Sequence, residues 1–180
     1  MYPLLVMQQL LGHWNKLGLI QLNSASKLAQ EVAEHEIAHS FNTFNKFYSD
    51  TGLFGVHIVA PDNMLDDAMY TVTNNMVRLC HNVSDEEVER AKAQLTTTLL
   101  LRQDSPAAAV NVIGRQVTNY GRRVSREETI ARIAAITTAD VKSTANQVIN
   151  DEDHALAAIG PIFELPDYNW IRRRSYWHRY

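Results

Sequence analysis

One stretch of this chain has the two-residue period of a β-hairpin, and it limits the folds open to everything around it. Ser40-Phe41-Asn42-Thr43-Phe44-Asn45-Lys46-Phe47-Tyr48 is aromatic-rich and partly alternating. Ser49-Asp50-Thr51-Gly52 is turn chemistry, and Leu53 to Ala60 is a second β-type run that Pro61-Asp62-Asn63 ends. Two strands alone make a marginal sheet, so other elements must cover one face and further strands must join.

Most of the remaining sequence has helical spacing. Leu4, Leu5, Gln8, Leu11 and Trp14 follow Pro3, a favourable first-turn residue, and predict a helix over residues 3–14. Gly18 to Ser24 reads as a loop. Ser24 or Ser26 can cap a helix reaching about His39, with Leu28, Val32 and His35 or Glu36 along one stripe. Residues 64–81 repeat Met64, Leu65, Ala68, Met69, Val72, Met76 and Leu79. Ser84 with Glu87 is a capping box for a helix to about Arg102. Asp104-Ser105-Pro106 starts another helix that ends near Tyr120-Gly121. Ser125 with Glu128 repeats the box, and Thr138-Ala139-Asp140 opens one more helix. His154 to Ile159, before Gly160-Pro161, reads as a last strand. The result is an α+β chain: an antiparallel sheet with helices on one side. Three strands leave edges that need pairing, so the sheet is expected to be completed by a missing N-terminal segment or a partner chain.

At 180 residues the chain suits one packed domain, residues 1–164, followed by an aromatic and basic tail at residues 165–180. A net charge of −3 argues against nucleic acid as the main partner. A single cysteine, Cys80, excludes an internal disulfide. No apolar run approaches the roughly 20 residues of a membrane span. Met1-Tyr2-Pro3-Leu4-Leu5 opens directly in an apolar pattern, without secretory or mitochondrial leader features. The chain therefore reads as beginning in mid-fold, as a fragment or one piece of a split protein.

The sharpest catalytic motif is His35-Glu36-Ile37-Ala38-His39, a literal H-E-x-x-H. On a helix, His35 and His39 would lie one turn apart and could share a zinc ion, with Glu36 as general base on bound water. A catalytic zinc also needs a third protein ligand, and the longer H-E-x-x-H-x-x-G-x-x-H pattern fails at Asn42 and Asn45. Glu86, Glu87 and Glu89 are available downstream, but no spacing singles one out. On residues alone, a zinc site and a solvated helix end both stand.

A set of ordered motifs bears on that choice. Phe41-Asn42-Thr43-Phe44-Asn45 with Ser49-Asp50-Thr51-Gly52-Leu53-Phe54-Gly55 comes first, then Val83-Ser84-Asp85-Glu86-Glu87-Val88-Glu89-Arg90-Ala91-Lys92. Ile113-Gly114-Arg115-Gln116, Tyr120-Gly121-Arg122-Arg123, Gly160-Pro161-Ile162 and Leu165-Pro166-Asp167-Tyr168 follow. Together they resemble the second half of the mitochondrial processing peptidase β / complex III core 1 family, pitrilysin-like inverted zincins, and the ending Tyr168–Trp177 is most like plant and green-algal members. The resemblance implies two similar halves, each a sheet with helices on one side, and a zinc site of reversed H-x-x-E-H form in the first half. This sequence holds no H-x-x-E-H, so no family metal ligand has a counterpart here. The resemblance also makes the opening motif two substitutions, His35 where Asn is usual and His39 where Glu is usual.

The family reading implies no cofactor in this chain, with zinc in the N-terminal half or partner chain. It implies as partners that missing N-terminal half, an α-subunit or core 2 relative, other complex III subunits and presequence peptides, on the matrix side of the mitochondrial inner membrane. Function would be scaffold and chamber wall in an assembly that supports ubiquinol–cytochrome c electron transfer and cleaves presequences. Two alternatives remain: a self-contained zinc peptidase, and a structural core protein without processing activity. Arg115 and Tyr120 are candidate substrate contacts, since related peptidases hold peptide with an Arg and a Tyr from the second half; local salt bridging is the plainer role for such an Arg. The sequence departs from the family at Lys16–Leu22, where a glycine-rich loop is usual, at the shortened Asp104-Ser105-Pro106, and at Val112, where an acid is usual. The Arg172–Arg174 run among aromatics is expected to pack on neighbouring subunits.

Overall fold

A computed structural model describes residues 1–18, 26–48, 50–101 and 104–175. Helix α1 spans Tyr2–Leu11 and stops three residues short of the expected end. Gly12 sets that end: its φ is 72°, and a Cβ there would lie 3.0 Å from Ser26 Cβ. Beyond Gly12 the chain turns back as strand β1, His13–Asn15, which the helical spacing of Trp14 concealed. β1 runs antiparallel to β2, Ser40–Phe47, with Trp14 opposite Phe41. β2 pairs with β3, Gly52–Val59, in the expected hairpin, Phe41 facing Ile58 and Phe44 facing Gly55. The sheet order is β1-β2-β3. Ser49 of the turn lies outside the described residues.

The alternation sorts the sheet into two faces. Phe41 and Thr43 are buried under helices, while Asn42, Lys46, Leu53, His57 and Val59 are exposed. α1 crosses the covered face, and Gln8 Nε2 donates to the Thr43 carbonyl at 2.8 Å. Val6, Met7, Leu10 and Leu11 of α1 form the middle of the core with Phe41, Leu79, Val88 and Val141.

Helix α2, Lys27–Glu34, starts at Ser26, whose hydroxyl accepts from the Ala29 amide. The alternative cap, Ser24, lies outside the described residues, as does most of the loop at 18–24. α3 spans Leu65–His81 and α4 spans Asp85–Leu101. Ser84 and Glu87 cap α4 reciprocally, each amide donating to the other's side chain at 3.2 Å. α5, Pro106–Tyr120, is capped by Ser105 and ended by left-handed Gly121. α6 spans Arg126–Ala134. Its capping box is half formed, because Ser125 Oγ accepts from the Glu128 amide but the Glu128 carboxylate is taken by arginines. α7, Thr138–Val148, opens at the expected residue and is capped by Thr137 with Asp140.

The expected last strand is not formed: His154 to Ile159 runs as coil. Strands exist by pairing, and among the described residues the backbone of 155–161 has no hydrogen-bond partner. β1 supplies the third strand instead. The tail then forms α8, Tyr168–Arg173, with Ile171 buried. Arg174 lies between the Tyr70 and Trp170 rings, 4.4 and 4.2 Å from their centroids. Arg172 binds Asp151 and Asp153. Residues 176–180 lie outside the described residues. No described helix is long and apolar enough to cross a membrane.

Candidate functional site

The H-E-x-x-H residues do not share a helix. α2 ends at Glu34, so the expected extension to His39 is overturned. The cause is a Schellman turn. The His35 amide donates to Glu31 O and the Ile37 amide to Val32 O, while Glu36 sits at φ 51°. Ile37 and Val32, the two residues joined by this turn's longer hydrogen bond, are both buried. His35 caps the helix, and His39 leads into the sheet, its amide bonded to Val59 O at 2.7 Å. His35, Glu36 and His39 are all exposed, and Glu36 pairs with Lys16 at 3.0 Å. The one-turn spacing on a helix face that zinc sharing would use is not present.

Arg115 and Tyr120 both lie on α5, and both are exposed. α5 has no buried residue and little contact with other elements. Tyr120 at its end touches Met1 Sδ through its hydroxyl, and burial followed by the nearby Tyr2 raises its pKa. Next to it, Glu128 bridges two arginines: Arg122 through both carboxylate oxygens, at 2.7 and 2.9 Å, and Arg132 at 2.6 Å. The Arg122 hydrogen bond, with Arg132 adding to it, holds the Glu128 carboxyl down at about 2. Arg132 in turn lies over the Tyr2 ring. This corner is a cationic, aromatic surface. Arg115 has no ion pair among the described residues, so its planar donor fork is open to peptide carbonyls.

The buried charges serve the fold. Glu87 is 7% exposed and accepts from Arg78, Lys27 and the Ser84 amide. Burial raises its pKa, but Lys27, the Ser84 amide and Arg78 together outweigh that, and the carboxyl ends below its ordinary value. Lys92 spans α4 to α6, donating to the Ala134 and Ile136 carbonyls at 2.9 and 3.0 Å and closing the α6 C-terminus. A groove of about 250 Å³ beside it is lined by Thr96, Ile130 and Ile133. Its one buried cation is therefore fully engaged. The capping motif announced Glu87, but only the fold could place Arg78, Lys27 or the 42-residue reach of Lys92 to Ala134. Cys80 is buried in α3, and burial pushes its thiol up to about 11.

Zinc does not fit the described residues, since no three His, Cys, Asp or Glu side chains gather among them. A catalytic zinc site needs three protein ligands besides its open water position.

Similarity to known proteins is extensive. Residues 1–95 match the family described as the Peptidase M16 inactive domain. A probable mitochondrial-processing peptidase subunit beta of Arabidopsis thaliana is 48% identical over 177 residues, which is 98% of this chain and 33% of that protein. The subunit beta of Blastocladiella emersonii is 43% identical, covering 95% of this chain and 37% of that protein. The human subunit beta is 36% identical, covering 98% and 36%. A chain of the Inz-5-bound complex III2 structure from Candida albicans superposes with a TM-score of 0.92 at 31% identity, over 98% of this chain and 42% of that one. The chain thus spans about a third of the length of these curated relatives. The match over residues 1–95, more than half of its length, makes the chain a member of the M16 peptidase family through that family's inactive domain.

Proposed function

We propose that this chain is the C-terminal part of a mitochondrial processing peptidase β or complex III core 1 subunit. It acts as a scaffold and chamber wall. The observation that carries this reading is the continuous match of 98% of the chain to one third of a processing-peptidase β subunit. An inactive-domain fold without a metal cluster among its described residues suits a supporting half. The partner polypeptide carries the rest of the subunit and holds the zinc. An α-subunit or core 2 relative encloses the chamber, on the matrix side of the inner membrane. Presequence peptides are the substrate of the assembly, and Arg115 and Tyr120 contact them from α5. The aromatic and basic tail, residues 165–180, extends contacts to neighbouring subunits.

Reconstitution tests this reading. The chain is co-expressed with a polypeptide comprising the first two-thirds of the Arabidopsis thaliana relative. A stable complex containing zinc in the partner, and presequence cleavage once an α-subunit is added, is the expected result. Failure of the chain to associate with that polypeptide overturns the reading. Association with zinc bound but no cleavage favours a core protein without processing activity.

A further inference from the structure

Helix α5 is tied to the rest of the fold near its C-terminal end. None of its residues is buried. Gln116 Oε1 accepts from the Val124 amide at 3.0 Å, across the turn that follows, and the Tyr120 hydroxyl donates to Met1 Sδ at 2.6 Å. The turn itself is braced from α6. Gly121 adopts φ 68° and Arg122 follows it. Glu128, in the first turn of α6, takes the Arg122 guanidinium through both carboxylate oxygens. The Ser125 hydroxyl fixes the Glu128 amide, and Arg132 holds one of the same oxygens from one turn further along α6. Exposed ion pairs contribute little as a rule. A bidentate fork shared in a network is the exception, because it fixes geometry as well as charge. Here that fork closes on a residue two positions beyond Tyr120.

The brace stands outside the core. The Arg122 and Arg132 side chains are 54% and 50% exposed, while α6 is fastened separately by buried Ile133 and by Lys92 at its C-terminus. The Tyr120 hydroxyl is weakly held, since a thioether sulfur is a poor acceptor that a peptide carbonyl readily replaces. A carboxylate thus sets the place of a phenol whose hydrogen bond can be exchanged. We infer that Glu128 is a positioning residue for peptide binding: by gripping Arg122 from α6 it fixes the end of α5 and the place of the Tyr120 hydroxyl. This role rests on the preceding reading of Tyr120 as a peptide contact, and it adds a residue that touches no peptide itself. Glu128 also offsets the charge of two guanidiniums, which matters to an Arg-rich presequence, so position and charge have to be told apart.

The chain alone, labelled at its methionine methyls, reports position first. A nuclear Overhauser contact between the Met1 methyl and the Tyr120 ring is expected in the wild type and is lost in Glu128→Gln, with the melting temperature kept within about 4 °C. Absence of that contact from the wild type, or its persistence in the variant, overturns the role. In the reconstituted assembly, Tyr120→Phe and Glu128→Gln are each expected to raise KM for a presequence peptide about fivefold with kcat nearly unchanged, and the double variant no further. Arg122→Gln breaks the same fork with the opposite change of charge, and positioning requires that it too raise KM. If Arg122→Gln lowers KM while Glu128→Gln raises it, charge alone is at work and positioning is overturned. If Tyr120→Phe raises KM and Glu128→Gln does not, the positioning role is wrong and the contact reading survives. If neither changes KM, both fall.

Discussion

Glu36 occupies a backbone position that suits glycine. A left-handed φ costs a residue with a Cβ about 1 kcal/mol, and the exposed pair with Lys16 returns less than that. Glu36→Gly is therefore expected to leave stability unchanged or raise it by up to about 1 kcal/mol, read by chemical denaturation. An assembly that kept its stability but lost hydrolysis with this variant would restore Glu36 as a general base. Glu87 behaves in the opposite way, because its partners are fixed by three separate elements. Glu87→Gln removes the charge that Arg78 and Lys27 pair with and is expected to cost about 2 kcal/mol. The folded carboxyl lies below its ordinary pKa, so its contribution is complete above the ordinary carboxylate range and is lost as pH falls through it toward the folded value. The variant should show a correspondingly flatter acid limb in a stability–pH profile. At this scale the sequence was an uneven guide. H-E-x-x-H matched a pattern whose helical premise fails, since the chain leaves the helix at left-handed Glu36 and buries Ile37 just beyond it. Glu87 was legible because its capping partner is three residues away.

Helices and the hairpin were readable wherever the signal is local. Ser26, Ser84, Ser105 and Ser125 each cap the helix expected of them. The misses are elements decided by pairing. β1 exists because Gly12 turns the chain onto β2, and residues 155–159 stay coil because no edge reaches them. Periodicity does not report a partner. α5 is the extreme case: its caps and spacing make a helix, yet nothing buries it. Its local stability should be low, because helices in proteins draw most of their stability from packing. Hydrogen exchange of the isolated chain is expected to be much faster in Ala109–Tyr120 than in Val72–Cys80 of α3, which are largely buried. Equal protection of the two helices would mean that α5 has a packing surface here that its exposure does not reveal. Slowing of α5 on assembly would mark it as a covered surface, as the proposed peptide contacts of Arg115 and Tyr120 require.

At the scale of the whole molecule, the question is where the metal sits. Membership through the family's inactive domain, and a match to about a third of each curated relative, are what the proposed supporting role rests on. Arg115 and Tyr120 were named only through the family resemblance carried by the ordered motifs, since the proposed peptide contacts need groups beyond this chain. The two histidines offer the decisive measurement. His35 and His39 are exposed and stand on opposite sides of a helix-ending turn, and among the described residues no third ligand gathers with them. In a purified complex with the zinc-bearing partner, the double variant His35→Ala, His39→Ala is expected to keep the full metal stoichiometry and the same presequence cleavage rate. Zinc per complex read by atomic emission, before and after brief chelation, separates tightly held from adventitious metal. Surface histidines can take up zinc weakly, and a fraction removed by brief chelation and absent from the double variant would be that population. Loss of one tightly held zinc together with hydrolysis would instead move catalysis onto this chain.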